Sequence, residues 1–216
     1  MPKALAVGVQ AGDLTRLLEV VAGLEAAGAE RLHFDVMDGA FAPRLMGGAE
    51  LFSALLRTTR LPVDVHLMVQ APERHVAAFE GAATIAVHAE ATPHLHRAVA
   101  EARRVGAEPA VALLPGSPVS EAIGVIGEVE EVLFLTVDPG FPGAHFIPGV
   151  LAKAKELKAK LAEQGRSLRL AVDGGLTLEN AAQVAEVADL LVSGSAVFKG
   201  EGPGANLARF YAALGR

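Results

Sequence analysis

The sequence predicts an α/β protein built as a single (β/α)8 barrel of the TIM type, and two observations carry that prediction. The first is an alternation of eight short apolar runs with longer stretches of helical period. The second is the length, because eight strand–helix repeats joined by right-handed crossovers fit 216 residues. An open doubly wound sheet is the alternative, but no Gly-x-Gly-x-x-Gly motif follows the first strand. No linker interrupts the pattern, so we expect residues 1–216 to form one barrel domain.

Each predicted strand is a run rich in valine, leucine, isoleucine and alanine. In order, the strands are Ala4–Val9, Arg31–Val36, Val63–Met68, Thr84–His88, Pro109–Leu114, Glu131–Val137, Ser167–Val172 and Asp189–Ser193. The clearest helices are Asp13–Ala27, Pro93–Val105 and Pro148–Gln164. Asp13 is a good N-cap, and Gly28 and Gly106 are good helix terminators. Thr177, with Glu179 close behind, is a good start for a further helix.

Composition excludes several classes of protein. Hydrophobic residues make up 51% of the chain, as expected for strands buried on both faces. The longest stretch without Asp, Glu, Lys or Arg, Pro139–Ala152, contains three prolines, so we expect no membrane span, and no secretory signal is visible. A net charge of −6 argues against nucleic acid as a partner. The chain has no cysteine, which excludes thiolate catalysis and fits a cytoplasmic location.

The most informative stretch is LHFDVMDG, where His33 and Asp35 stand two residues apart. On a strand this spacing points both side chains to one face, and burying them there is costly unless they bind something. Two further strands share the design, with His66 in VDVHLM and Asp173 in LAVDGG. Each of these groups lies late in its strand, where a barrel carries its catalytic residues. Together they predict a divalent metal site with the ligands His33, Asp35, His66 and Asp173.

The other histidines divide into two groups. A lone buried histidine is more often a hydrogen-bonded core residue than a ligand, and only the matched placement of several groups favours binding here. His88 ends a predicted strand and belongs with the polar groups at the strand ends. The remaining four are assigned to the surface, on predicted helices or loops: His75, His94, His96 and His145.

These segments resemble the ribulose-phosphate 3-epimerase family along nearly the whole chain. The matching stretches, in order, are HFDVMDGAFAP, DVHLMVQAPERHV, VHAEAT, TVDPGFPGAHFIP, VDGG and SGSAVF. The resemblance implies a metal-dependent isomerase of the pentose phosphate pathway, which interconverts D-ribulose 5-phosphate and D-xylulose 5-phosphate. It also implies that Asp35 and Asp173 are the catalytic acid and base as well as metal ligands.

The implied reaction explains these residue types. Inverting a carbon beside a ketone requires one carboxylate to remove the C3 proton and another, on the opposite face, to return one. A divalent cation would stabilise the intervening enediolate as a Lewis acid, with the histidines binding it as neutral imidazoles. Two histidines and two carboxylates accept Zn²⁺, Fe²⁺, Mn²⁺ or Co²⁺.

A phosphorylated ligand is indicated by glycine-rich loops after the last two strands, DGGLT and SGSAVF, where barrels commonly hold phosphate. The loop 138–143 could cover the sugar. The residues assigned to substrate and phosphate are Gly8, His66, Gly140, Gly143, Asp173, Gly174, Gly175, Gly194 and Ser195. Met37 and Met68 either fill the core or shield the intermediate from water. His88 and Glu90 either support the metal ligands or are simple polar packing.

Several positions depart from the family pattern, and they lie around the substrate. Gly8 replaces the first serine of a Pro-Ser-Ile-Leu-Ser-Ala-Asp pattern, and Arg44 begins a stretch where the family has Asn-hydrophobic-Thr. In the loop DPGFPGA, three residues replace the family's asparagine, glycine and glutamine: Asp138, Pro142 and Ala144. Arg44 either provides a cation at the mouth or extends into solvent.

These departures leave two alternative functions open: a 3-epimerase of a six-carbon ketose phosphate, or a phosphosugar-binding barrel with little catalysis. The expected partner is a small phosphosugar, and the resemblance further implies a homo-oligomer.

Overall fold

The computed structural model describes residues 3–141 and 143–216, and the departure at Pro142 lies outside the described residues. Within these ranges there are nine strands: Ala4–Gly8 (β1), Leu32–Asp38 (β2), Leu45–Met46 (β3), Val63–Met68 (β4), Thr84–His88 (β5), Glu108–Leu113 (β6), Glu131–Leu135 (β7), Arg169–Asp173 (β8) and Leu190–Ser193 (β9). All except β3 are parallel neighbours in the order β1-β9-β8-β7-β6-β5-β4-β2. Pairing of β1 with β2 closes the sheet, which confirms the (β/α)8 barrel.

The α-helices lie between barrel strands as far as β9, and the last two follow that strand. They are Leu17–Ala26 (α1), Ala49–Leu56 (α2), Leu95–Arg104 (α3), Ser120–Ile123 (α4), Val150–Glu163 (α5), Leu178–Ala185 (α6), Ser195–Phe198 (α7) and Pro203–Ala213 (α8). Among the described residues, none of these helices is long and apolar enough to cross a bilayer.

The predicted elements match these bounds with a few corrections. The strands Val63–Met68 and Thr84–His88 are as predicted, and the other barrel strands differ by a few residues at their ends. The predicted helix Asp13–Ala27 begins as a 3-10 turn, whose N-cap Asp13 accepts a hydrogen bond from the Thr15 N–H. Thr177 caps α6 as expected, although the reciprocal partner in its capping box is Asn180.

Two further predictions need correcting. The two-residue strand β3, which is too short to show a period, was missed; it pairs antiparallel with the end of β2. His33 is the second residue of β2, so it does not lie late in its strand. Strand stagger explains this, because β2 begins beside the end of β1, where His33 pairs with Gly8.

The barrel interior has three layers that differ in polarity. At the amino ends of the strands, Arg31 and Arg169 pair with buried Asp64 and Glu131. The middle is built largely from small side chains, including Ala6, Ala86, Ala110, Ala112 and Ala171, together with Leu133, Leu190 and Val192. The histidine and aspartate side chains described below form the upper layer. The larger apolar core lies outside the barrel, between strands and helices.

Candidate functional site

Four predicted side chains from three strands, β2, β4 and β8, meet at the upper end of the barrel. Asp35 Oδ1 lies 3.3 Å from both His33 Nε2 and His66 Nδ1. Asp173 Oδ2 lies 3.7 Å from His33 Nε2 and 3.6 Å from His66 Nδ1. One ligand atom from each residue fits within 4.8 Å of all the others. The two imidazoles are buried, whereas the carboxylates are partly exposed toward the barrel mouth.

The donor atoms of this cluster fit a divalent cation. His33 Nδ1 and Nε2, Asp35 Oδ1 and His66 Nδ1 are buried, and none has a well-directed hydrogen bond within the described part of the chain. Leaving such atoms unpaired is costly, and three of them, His33 Nε2, Asp35 Oδ1 and His66 Nδ1, converge on one point, which needs an explanation. Two imidazole nitrogens and two carboxylate oxygens are a suitable donor set for a transition metal or Zn²⁺. These four residues could therefore hold one metal ion.

The electrostatics of the cluster also favour a positive charge. Burial alone would lower the pKa of His33, but the carboxylates of Asp35 and Asp173 outweigh it and raise the pKa to about 9. Burial would raise the pKa of Asp35, yet the nearby imidazoles of His33 and His66 lower it. The carboxylates thus stabilise a cation between them, either a proton on imidazole or a bound metal ion.

His66 is connected to two further residues that sequence analysis named as possible support. Its Nε2 lies 2.9 Å from His88 Nε2, and His88 Nδ1 lies 3.1 Å from Glu90 Oε2. Burial lowers the pKa of His88 to about 4. For Glu90, burial is outweighed by hydrogen bonds, first that of His88, which lower the pKa to about 2. At neutral pH the pair is therefore an ionised carboxylate and a neutral imidazole.

These charges determine which nitrogens carry protons. The Glu90 carboxylate can only accept, so His88 carries its proton on Nδ1 and donates it. His88 Nε2 is then an acceptor for the proton on His66 Nε2. When His66 is neutral, this leaves the lone pair of its Nδ1 facing the two aspartates, as a metal ligand requires. Phe41 packs on His88 with a ring-centroid distance of 4.7 Å, on one side of this chain of hydrogen bonds.

We expect Glu90→Gln to weaken metal binding about 10- to 100-fold, in the range typical of groups behind metal ligands. The oxygen of the new carboxamide would still accept the Leu114 N–H, which now lies 2.7 Å from Glu90 Oε1. The NH₂ group of that carboxamide would then face His88 and force both imidazoles into the opposite tautomer, with the proton of His66 on Nδ1. Titration of the metal-stripped variant with Co²⁺, followed by visible absorption, measures the loss.

The matched control is Glu128→Gln, which alters a histidine–glutamate pair on the surface. Glu128 Oε1 lies 3.1 Å from His96 Nδ1, and both side chains are more than half exposed. This variant should bind Co²⁺ like the unaltered protein. Equal Co²⁺ affinities for the two variants would contradict the assignment of tautomers by Glu90.

A cavity of about 510 Å³ opens beside Asp173 and is lined by the predicted glycine-rich loops. Its lining includes five of the residues that the sequence assigned to substrate and phosphate, Gly143, Gly174, Gly175, Gly194 and Ser195. Gly174 and Gly175 have φ values of +103° and +63°, which a side chain would strain. The amino end of α6 lies at this cavity through Thr177 and Asn180. Backbone N–H groups and a helix amino end are suited to an anion such as phosphate.

A smaller cavity of about 190 Å³ lies directly over the cluster. Its lining includes His33 and Asp35, together with the predicted residues Gly8 and Met37. It shares Asp173, Val192 and Gly194 with the larger cavity, so one elongated ligand could reach both. Arg44 lines the smaller cavity while remaining exposed, which places this cation at the mouth.

Other predicted residues lie farther from these cavities. Gly140 packs against Pro43, and a Cβ added to Gly140 would lie 2.6 Å from Pro43 Cδ. The glycine therefore allows the two loops to approach each other. Met68 is buried next to Met37 in register, which favours core packing for Met68. His66 lies fully buried beneath the aspartates. Asp138 is exposed and lines neither cavity, whereas Ala144 is the exception and lines the larger one.

The sequence interpretation missed several residues at the site. His145 is exposed, as expected, but it also lines the larger cavity, together with Asn180 and Lys199. Thr136 was also missed; its hydroxyl donates to the carbonyl oxygen of Asp173 at 2.8 Å. The remaining surface histidines, His75, His94 and His96, are exposed as predicted. The loop DPGFPGAH lies near the glycine-rich segments in the barrel order, and this was the available signal for His145.

Comparison with known proteins gives a consistent result. The model of the ribulose-phosphate 3 epimerase family matches residues 4–198. The ribulose-phosphate 3-epimerase of Bacillus subtilis (strain 168) is 41% identical over 198 residues, covering 90% of this chain and 91% of its own. A chloroplastic ribulose-5-phosphate-3-epimerase of Arabidopsis thaliana is 42% identical over 195 residues, covering 88% and 69%. Among solved structures, 3-hexulose-6-phosphate synthase from Salmonella typhimurium shares the fold, with a TM-score of 0.71 and 12% identity over 98% of both chains.

Proposed function

Because the chain belongs to the ribulose-phosphate 3-epimerase family, we propose that it interconverts D-ribulose 5-phosphate and D-xylulose 5-phosphate by two-carboxylate proton transfer at C3. It is accordingly an isomerase. The observation that carries the mechanism is the pair of partly exposed carboxylates, Asp35 and Asp173, whose oxygens face the same two buried imidazoles and the same cavity.

Asp35 and Asp173 serve as the acid and base of this reaction. They come from β2 and β8, which two other strands separate on the shorter way round the barrel. A planar substrate lying between them would present one face to each carboxylate. The ionised carboxylate removes the C3 proton from one face, and the protonated one delivers a proton to the other. Exchanging these roles runs the reaction in the opposite direction.

The remaining residues hold the substrate and the metal. His33 and His66, with the two aspartates, would bind one divalent ion, Zn²⁺, Fe²⁺, Mn²⁺ or Co²⁺. When bound, such an ion supplies Lewis-acid stabilisation of the negative charge that develops on the substrate oxygens. Gly174, Gly175 and Gly194 present backbone to the larger cavity, where the phosphate would lie.

Location and assembly are part of the same proposal. The absence of cysteine supports a cytoplasmic enzyme, because such a chain gains nothing from an oxidising compartment. A homo-oligomer is proposed on the family resemblance alone.

The direct test is proton NMR of D-ribulose 5-phosphate in D₂O with the purified protein, before and after chelation. We expect the C3 proton signal to disappear as D-xylulose 5-phosphate forms, chelation to stop both changes, and re-added metal to restore them. Exchange that a chelator does not affect would contradict the metal assignment. If the metal-loaded protein shows no exchange with this substrate but exchanges a six-carbon ketose phosphate, the substrate assignment is wrong.

A further inference from the structure

Gln10 makes two hydrogen bonds to the backbone of one proposed catalytic residue. It lies in the 3-10 turn Val9–Ala11 that follows β1. Its Nε2 donates to the carbonyl oxygen of Asp35 at 2.6 Å, and the Asp35 N–H donates to Gln10 Oε1 at 3.0 Å. One side chain thus pairs with both the backbone N–H and the backbone C=O of Asp35.

The strand order explains why Asp35 needs such a partner. In a parallel ladder, the N–H and C=O of one residue point to the same neighbouring strand. β1 pairs with β2 at Val7–Leu32 and Gly8–His33, and the chain then turns away into the 3-10 turn. The N–H and C=O of Asp35 point toward β1, and no residue of β1 lies opposite them. The carboxamide of Gln10 takes the place of the missing strand.

Other contacts hold Asp35 from the remaining directions. On its other side β2 pairs with β4, with Asp35 opposite His66. The chain at Gly47 approaches so closely that an added Cβ would lie 2.5 Å from the Asp35 carbonyl oxygen. Gln10 completes this enclosure on the β1 side, which fixes the direction of the Asp35 side chain toward His33 and His66.

We propose that Gln10 is a positioning residue for the metal centre, which holds the backbone of Asp35 so that its carboxylate stays directed at the bound ion. The inference rests on the proposed function to the extent that Asp35 is a metal ligand there. Gln10 also lines the smaller cavity, but its two hydrogen bonds to the Asp35 backbone are the contacts that carry the proposal. A metal site needs its ligands held within about 0.5 Å of the binding geometry, so losing the contacts that position one ligand weakens metal binding.

The test compares Gln10→Met, which keeps the length but loses both hydrogen bonds, with Gln10→Glu. The glutamate keeps an acceptor for the Asp35 N–H and places its second oxygen against the Asp35 carbonyl oxygen. For both variants we expect the Kd for Co²⁺, measured by absorption of the metal-stripped protein, to rise about 10- to 100-fold. In the Co²⁺-saturated enzyme, kcat should fall about tenfold or more, while KM changes less than about threefold.

The matched control is Gln164→Met, because Gln164 is an exposed residue at the carboxyl end of α5. Gln164→Met should match the unaltered protein in its Kd for Co²⁺ and in its kinetic constants. Thermal unfolding of all the metal-stripped variants shows whether each one is folded. Co²⁺ affinities within about twofold for both Gln10 variants would overturn the proposal, even if their thermal stability fell. If the unaltered protein fails to epimerise any ketose phosphate, the proposed function fails, but the Co²⁺ affinities still decide the role of Gln10.

Discussion

Replacing Asp173 by asparagine is expected to reduce kcat for C3 proton exchange at least about 1,000-fold, the middle to upper range for loss of a general acid or base. A carboxamide does not take up a proton at neutral pH, so one face of the substrate loses its proton carrier. The backbone should not move, because the Thr136 N–H and hydroxyl both donate to the Asp173 carbonyl oxygen at 2.8 Å. Deuterium incorporation at C3, followed by NMR at saturating metal, measures the effect.

The control is Asp13→Asn, an equally small change at an exposed position. Asp13 caps a 3-10 turn by accepting from Thr15, and asparagine caps as well as aspartate does. Its exchange rate should equal that of the unaltered protein. An Asp173→Asn variant that keeps more than about a tenth of the rate would exclude Asp173 as an acid or base. Asp35→Asn should behave like Asp173→Asn.

Replacing Arg169 by methionine is expected to lower the free energy of unfolding by about 3–5 kcal/mol at pH 7, because it leaves a buried charge without its partner. At the lower end of the barrel the Arg169 guanidinium pairs with Glu131, which is only 3% exposed, and donates to Glu108 at 2.7 Å. It also lies 3.3 Å from the Thr84 hydroxyl, which links it to Arg31. Urea unfolding measures the change in free energy.

The free-energy loss should shrink as the pH is lowered. Burial raises the pKa of Glu131 above its ordinary value, and without Arg169 that pKa rises further. In Arg169→Met the folded-state pKa of Glu131 therefore lies well above its unfolded-state pKa. As the pH falls from the first value to the second, the folded form takes up the proton more readily and gains stability relative to the unfolded form. We therefore expect urea unfolding to give a smaller difference in the free energy of unfolding between variant and unaltered protein at pH 5 than at pH 7.

Arg209→Met is the matched control for a surface ion pair. Arg209 Nη2 contacts Glu201 Oε1 at 2.8 Å, and both side chains are more than half exposed. Water can solvate Glu201 once the Arg209 guanidinium is removed, so the free energy of unfolding should fall by less than about 1 kcal/mol. If Arg169→Met costs no more than this control, the layer at the lower end of the barrel does not contribute to stability as a buried network.

Much of this architecture follows from local patterns. The strands Val63–Met68 and Thr84–His88 were predicted to the residue, since runs of β-branched and aliphatic residues between polar turns indicate buried strands. The two-residue spacing of His33 and Asp35 correctly predicted that both side chains face the barrel interior, where they contact His66 and Asp173. The strand β3 escaped detection because two residues carry no period.

The sequence alone determined the barrel, the four residues that meet in it and the family to which they point, because strand periodicity and short motifs are local properties. Only the tertiary structure decided what surrounds them. Gln10 and Asp35 are separated by 25 residues and Leu114 and Glu90 by 24, and nothing in either segment marks the other as its partner. Such contacts depend on strand stagger and on where each chain leaves the sheet, which are set by the closure of the whole barrel.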